Sequence, residues 1–196
     1  MKVLVTGGAG FIGSHLVDRL IQEGHEVVVV DNLSTGKRRN LNRAARFFKL
    51  DIQSWRLERV FRNERPNVVM HLAAQMDVRK SVEDPVFDAQ VNVLGTLNVL
   101  QQAVRHGVRK VVFSSSGGAI YGEQEIYPAP ESHVTRPLSP YGISKLCGEQ
   151  YLSYYQRVSG LQMVNLRYAN VYGPRQDPDG EAGVVAIFIQ KLLNNE

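Results

Sequence analysis

Residues 2–31 read KVLVTGGAGFIGSHLVDRLIQEGHEVVVVD, and this stretch decides the fold. Lys2–Thr6 is a short apolar run of the kind buried on both faces of a parallel sheet. Phe11–Gln22 places Ile12, Leu16 and Leu20 on one helical stripe. Glu26–Asp31 returns to an apolar run rich in Val. Between the first strand and the helix, Gly7, Gly10 and Gly13 give the spacing G-x-x-G-x-x-G. Such a turn lets backbone approach a pyrophosphate, whose charge rests on the N-terminus of the following helix. Gly13 lets that helix pack close to the sheet. Asp31 closes the second strand, 24 residues after Gly7. A carboxylate there accepts ribose hydroxyls and repels a 2′-phosphate, which favours NAD over NADP. Its structural alternative is an Asp that caps a turn before Asn32. Lys37, Arg38 and Arg39 read as a solvated turn. Asp51, after the third strand, either meets an adenine amine or caps a helix before Ser54.

Working outward, further strands are expected at Arg46–Leu50, Asn67–Ala73, Lys110–Ser114 and Gln162–Arg167. Helices are expected at Val86–His106, with Val93, Leu97, Leu100 and Val104 on one stripe, and at Pro140–Ser159. The second begins Ser-Pro, an N-cap followed by a first-turn proline. Alternating strands and helices predict an α/β doubly wound parallel sheet with helices on both faces. Glu123–Ser139 and Tyr172–Gly183 break the pattern and read as irregular loops, which in compact domains are often functional. No internal repeat or low-complexity tract interrupts the chain.

The composition agrees with one ordinary domain. Of 196 residues, 43% are apolar and 21% charged, which excludes disorder, collagen and coiled coil. The single cysteine, Cys147, excludes an internal disulfide and a Cys-rich zinc site, and suits a reducing, cytoplasmic setting. No metal is called for. The N-terminal apolar run is too short for a signal peptide, and none approaches the length of a membrane span. A net charge of +4 from scattered cations suits an anionic ligand and is weak support for nucleic acid.

Tyr141 and Lys145 lie four apart at the start of a helix, so both face one side. A free phenol ionises near pH ~10. A neighbouring ammonium and a cationic nicotinamide both favour its phenolate, which makes Tyr141 a candidate acid–base group. Lys145 is also placed to bind the nicotinamide ribose. Ser114, Ser115 and Ser116 end the fifth strand, the edge outside which ligands lie in parallel α/β sheets. A hydroxyl there can bond a substrate oxygen; three serines that simply end a strand are the alternative.

These residues bring the sequence to a family. TGGAGFIGSHLVDRL, DNLSTGKRRNL, HLAAQMDVRKSVEDP, NVLGTLNVL, SSSGGAIYGE, SPYGISK and LRYANVYGPRQDPDGEAGVV follow one another through almost the whole chain. In these motifs it resembles the extended short-chain dehydrogenase/reductases, and within them the NAD-dependent sugar-nucleotide epimerases, most closely those acting on UDP-glucose and UDP-galactose. The resemblance implies a Rossmann fold over residues 1–170 and the start of a substrate-binding lobe over 171–196. It implies NAD as cofactor, with Gly7, Gly10, Phe11, Ile12 and Gly13 along the pyrophosphate. Asp31, Asn32, Leu33, Ser34, Thr35 and Gly36 would surround the adenosine ribose, and Asp51 and Ile52 the adenine. Leu72, Ala73, Ala74 and Gln75 would line the nicotinamide side with Asn92 beneath. Ser114, Tyr141, Lys145 and Tyr168 would complete the cofactor site. Ser116, Tyr141 and Lys145 would be catalytic. Ser116, Tyr141, Asn170, Gly183 and Val184, the last two within Glu181–Val185, would hold the UDP-sugar.

The implied reaction is 4-epimerisation of a UDP-hexose by transient oxidation. Tyr141 takes the 4-hydroxyl proton, hydride leaves C4 for NAD, the 4-keto sugar turns over, and hydride returns to its other face. SSSGGAIYG is one residue longer than the SSSATVYG form of some epimerases, which leaves Ser115 or Ser116 as the substrate hydroxyl; Ser116 is the choice. Dehydratases and decarboxylating relatives carry acids where this chain has Gly117, Gly118 and Ala119, which favours plain epimerisation. The alternatives are an epimerase of UDP-N-acetylhexosamines or UDP-uronic acids, and a non-catalytic NAD-binding protein. The resemblance further implies a homodimer through helices 86–106 and 140–159, and a full enzyme longer than this chain. A last helix within GVVAIFIQKLLNNE that runs on without a Gly or Pro stop fits the same expectation.

Overall fold

A computed structural model describes residues 1–178 and 183–194. Six strands form one parallel sheet: β1 (Lys2–Thr6), β2 (Glu26–Asp31), β3 (Arg46–Lys49), β4 (Val68–His71), β5 (Lys110–Ser116) and β6 (Gln162–Tyr168). Their order is β3-β2-β1-β4-β5-β6. The chain winds outward from β1 to β3, then crosses back to place β4 against the other side of β1. The reversal between β1 and β4 is the switch point, where such sheets open a crevice at their carboxyl ends. Thr6 of β1 stands at that point, paired with Val30 on one side and His71 on the other.

Strand alternation sends successive side chains to opposite faces. Val3, Val5, Val27 and Val29 are buried with Val17 and Leu20 of α1 (Phe11–Gln22). Leu4, Val28, Val69, Val111 and Phe113 are buried on the other face. There they meet Leu57 and Phe61 of α2 (Leu57–Glu64), Val99 and Leu100 of α5 (Gly95–Arg105) and Leu152 of α7 (Pro140–Ser159). Each such side chain contributes roughly 1.5–3 kcal/mol on leaving water. The expected doubly wound α/β sheet with helices on both faces is the observed one.

α1 and α7 have the bounds read from the sequence. Ser139 caps α7 through Gly142 N at 3.1 Å, with Pro140 in the first turn. Other expectations shift for identifiable reasons. β4 stops at His71 because Leu72 N is shared between Thr6 O at 3.2 Å and the Thr6 hydroxyl at 3.1 Å, and Ala73 N turns to that hydroxyl at 3.1 Å. β5 and β6 each run on further, because their ladder continues to Ser116 opposite Tyr168. The helix expected over Val86–His106 is interrupted: α4 (Pro85–Ala89) and α5 flank a π-helical turn at Gln90–Leu94. Three short helices were not read from the sequence: α2, α3 (Val78–Glu83) and α6 (Gly117–Ile120). α3 starts where the Asp77 carboxylate accepts Lys80 N at 3.0 Å. Residues 123–139 are irregular, as expected, and α8 (Val184–Leu193) forms within the expected C-terminal helix. Among the described residues no helix is long and apolar enough to cross a membrane.

Candidate functional site

The glycine-rich turn lies between β1 and α1. Gly7 has φ +73°, and a Cβ on it would come 2.7 Å from Ala73 N. A Cβ on Gly13 would come 2.1 Å from Gly7 O, so only glycine lets α1 start this close to the strand. A Cβ on Gly10 would meet only Gly7 O, at 3.3 Å, which leaves that side of the turn open. Gly10 caps α1 without a side-chain bond, and the first turn holds no acid. The amides that open α1 thus present unsatisfied donors and a positive dipole end, which fits a pyrophosphate.

Asp31 is buried at the end of β2. Its Oδ2 accepts Ala9 N at 2.9 Å and its Oδ1 accepts Leu33 N at 2.8 Å. It therefore caps a turn, as the structural alternative supposed, yet each oxygen keeps a second lone pair for a ribose hydroxyl. A Cβ on Gly36 would meet the Asp31 carboxylate at 2.8 Å, so glycine lets the loop pass this close to it. Asp51 joins the same loop: it accepts Asn32 Nδ2 at 2.8 Å and caps a turn through Gln53 N at 2.8 Å. Ile52 is buried. Within the Lys37–Arg39 segment, Arg38 and Arg39 are exposed, while Lys37 is tied down. Lys37 N donates to Ala9 O at 3.0 Å, and Lys37 Nζ reaches Asp177 at 2.6 Å. His15 bonds Pro174 O at 2.8 Å, and Arg175 bonds Asp18 at 2.7 Å. Residues 171–177 are thus strapped across α1 and the loop after β2. A cavity of about 270 Å³ lies under the strap, lined by Phe11, Ile12, His15 and residues 171–174.

Across the switch point, Thr6 anchors the segment after β4. Its hydroxyl accepts from both Leu72 N and Ala73 N, so its own hydrogen goes to His71 Nδ1, at 2.7 Å. The Thr96 hydroxyl donates to Asn92 O at 2.6 Å, so it accepts from His71 Nε2 at 3.0 Å. His71 is thereby held neutral, with its hydrogen on Nε2, and burial pushes its pKa down to about 3. Asn92 lies on the π-helical turn, a feature frequent at functional sites. Its side chain bonds both Gln75 N and Gln75 O at 2.8 Å and the Asp88 carboxylate at 2.9 Å. The Gln75 side chain is spent on Asp77 and Asp88. Gln75 and Asn92, expected to line the cofactor, therefore direct these bonds into the frame that supports residues 72–74. Ser144 Oγ of α7 completes the Asp88 cluster at 2.5 Å.

α7 carries Tyr141 and Lys145 past the end of β5. Lys145 Nζ donates to Ser114 O at 2.9 Å and lies 5.0 Å from the Phe113 ring centre and 5.7 Å from that of Tyr141. Burial lowers its pKa to about 8, with the charge of Asp88 opposing the fall. Tyr141 N is bonded to Ser81 Oγ at 3.2 Å. The three serines divide by strand alternation. Ser115 is buried and donates to Glu149 Oε1 at 2.5 Å, and Arg167 holds Glu149 through two bonds of 2.8 and 3.1 Å. Ser114 and Ser116 belong to the opposite face. Ser114 Oγ lies 3.5 Å from Tyr168 OH. Ser116 is half-buried and starts α6 with no side-chain cap bond. Asn170 is exposed just after β6, Gly183 caps α8 and Val184 is exposed; Glu181 and Ala182 lie outside the described residues.

Asp88, Ser144, Glu149, Arg167 and His71 escaped the sequence reading. The one available signal was spacing, since Asp88 and Asn92 are four apart, as are Lys145 and Glu149.

The chain is similar to UDP-glucose 4-epimerase of Mycolicibacterium smegmatis, with 50% identity over 98% of this chain and 63% of the relative. Among solved structures it resembles UDP-glucose 4-epimerase of Thermotoga maritima with UDP-glucose. That match has TM-score 0.98 and 54% identity, covering all of this chain and 64% of that one. It also resembles the Thermus thermophilus UDP-glucose 4-epimerase in complex with NAD, at TM-score 0.96 and 56% identity, covering 63% of that chain. The chain thus spans a little under two thirds of the length of these relatives. Residues 3–196 match the model of the NAD dependent epimerase/dehydratase family, and the chain belongs to that family.

Proposed function

We propose that this chain binds NAD through the β1–α1 turn and Asp31, and supplies Ser116, Tyr141 and Lys145 to 4-epimerisation of a UDP-hexose, UDP-galactose to UDP-glucose. One observation carries the reading most: Lys145 Nζ is buried on Ser114 O at the carboxyl end of β5, the strand that ends in Ser116, and lies one helical turn from Tyr141. In that arrangement the Tyr141 phenolate accepts the proton of the sugar 4-hydroxyl. The Ser116 hydroxyl bonds the same oxygen, since Ser115 is committed to Glu149. The Lys145 ammonium favours the phenolate and reaches towards the nicotinamide ribose. When bound, NAD supplies a reversible hydride acceptor at the sugar carbon.

Residues 1–170 act as the cofactor domain and 171–196 begin the substrate lobe, with Asn170, Gly183 and Val184 towards the sugar nucleotide. A homodimer through the 86–106 and 140–159 helices is supported by exposed Val86, Leu94, Ile143, Tyr154 and Val158. Tyr151 and Tyr155 pack instead against the core. The single cysteine supports a cytoplasmic setting. The test joins this chain to the rest of the Thermotoga maritima enzyme and supplies UDP-galactose, with NAD and no reductant. Formation of UDP-glucose, lost in Tyr141→Phe, is expected; the unjoined chain should bind NAD and convert little. No conversion by the NAD-loaded joined protein would sink the reading.

A further inference from the structure

Asp88 is fully buried on α4, outside the residues assigned to cofactor or substrate. Its carboxylate collects three donors from three separate elements. Gln75 Nε2 reaches Oδ1 at 3.0 Å from the segment after β4, and Asn92 Nδ2 reaches it at 2.9 Å from the π-helical turn. Ser144 Oγ reaches Oδ2 at 2.5 Å from α7, one residue before Lys145. A buried carboxylate is retained only where such donors replace its water, and together these hold two different parts of the site. Ser144 fixes the turn that carries Tyr141 and Lys145. Gln75 and Asn92 fix the segment on which the nicotinamide side depends.

Several groups among the described residues bear on Lys145. They are Tyr141 from its own helix, the Ser114 carbonyl and Phe113 ring from β5, neutral His71 from β4, and Asp88 from α4. Among them Asp88 supplies the negative charge that supports the Lys145 ammonium.

We propose that Asp88 is a positioning residue: it locks the Tyr141–Lys145 turn of α7 to the Gln75 segment and, through its bond to Ser144, sets a buried carboxylate beside that turn. The inference rests on the reading of Tyr141 and Lys145 as catalytic for its purpose, but its test needs no turnover. Asp88→Asn preserves the shape: the carboxamide oxygen still accepts from Gln75 and Asn92, and its NH2 can donate to Ser144 Oγ. Only the charge is lost. In the 196-residue chain with lysine ε-carbons labelled, NMR titration should show the Lys145 midpoint lowered by about one pH unit in Asp88→Asn. The Lys145 signal is assigned by its loss in Lys145→Met.

Ser144→Ala removes only the tether to α7. It should leave the Lys145 midpoint in place and raise amide hydrogen exchange over residues 141–145 several-fold. An unmoved midpoint in folded Asp88→Asn would overturn the proposal. So would unchanged exchange in Ser144→Ala, which decides the matter if Asp88→Asn does not fold. Failure of UDP-galactose conversion alone would count against the proposed function and leave both measurements intact.

Discussion

Replacing Lys145 with methionine gives the buried ammonium a measurable pH signature. An ordinary lysine holds its proton to about 10.5, whereas burial brings Lys145 down to about 8. Between those limits the unfolded chain binds more protons than the folded one, so stability rises with pH. Below about pH 8 the ammonium must be held inside the fold, and above about 10.5 both states are neutral. The gap corresponds to about 3 kcal/mol at ~1.4 kcal/mol per unit, of which about 2 kcal/mol falls between pH 7 and 9.5. Lys145→Met has nothing to titrate at this position, while every other ionisable group is shared. Urea unfolding of both proteins at pH 7 and pH 9.5 should therefore show the unaltered chain gaining about 2 kcal/mol on the variant as pH rises. A difference between the two that stays constant across this range would refute the buried-ammonium argument.

Two further perturbations probe the surrounding frame. His71 has the complementary sign: neutral in the fold down to about pH 3, it protonates near 6.5 once released. Its contribution is complete above 6.5 and is lost as pH falls towards 3. The unaltered chain should lose about 2–3 kcal/mol more than His71→Gln between pH 7 and 4.5 in urea unfolding, and parallel losses would count against the neutral-histidine chain. The Glu149–Arg167 pair should respond unequally, because the Glu149 side chain is 6% exposed and that of Arg167 24%. Arg167→Met strands a carboxylate with only the Ser115 hydroxyl among the bonds described, and should cost roughly 3 kcal/mol in thermal melts. Glu149→Gln leaves the guanidinium with Tyr121 OH and Glu131 O, and should cost less; the reverse order would contradict this account.

The parts of the molecule legible in the sequence are those where local rules act alone. α1 follows from its apolar stripe and the glycines before it. α7 follows from Ser139 and Pro140, which cap and start it whatever packs against it. The π-helical turn at Gln90–Leu94 was illegible because Val86, Val93, Leu97 and Leu100 keep a helical spacing straight through it. What inserts the extra residue there is tertiary: the Asn92 amide is drawn to both backbone groups of Gln75. The limits of β5 were hidden for a similar reason, since serines end strands as readily as they extend them, and only the partner strand carries Ser116 into the ladder. The glycine turn, Asp31, Tyr141 and Lys145 announced themselves by spacing. The frame behind them, Asp88 with Ser144 and Glu149 with Arg167, joins residues 56 and 18 positions apart, and single polar residues within helices or strands look like solvent-facing ones.

Among the described residues, three polar links of unequal character fasten the strap of residues 171–177. Lys37–Asp177 and Arg175–Asp18 are ion pairs near the surface, each worth at most about 1 kcal/mol in water and screened as salt rises. The His15 link to Pro174 O ends on a neutral carbonyl and has no such sensitivity. The fastenings also act in parallel, so each closed link raises the local concentration of the other two. Ionic strength therefore acts on this segment as a graded brake: concentrated salt weakens the two ion pairs and spares the His15 link.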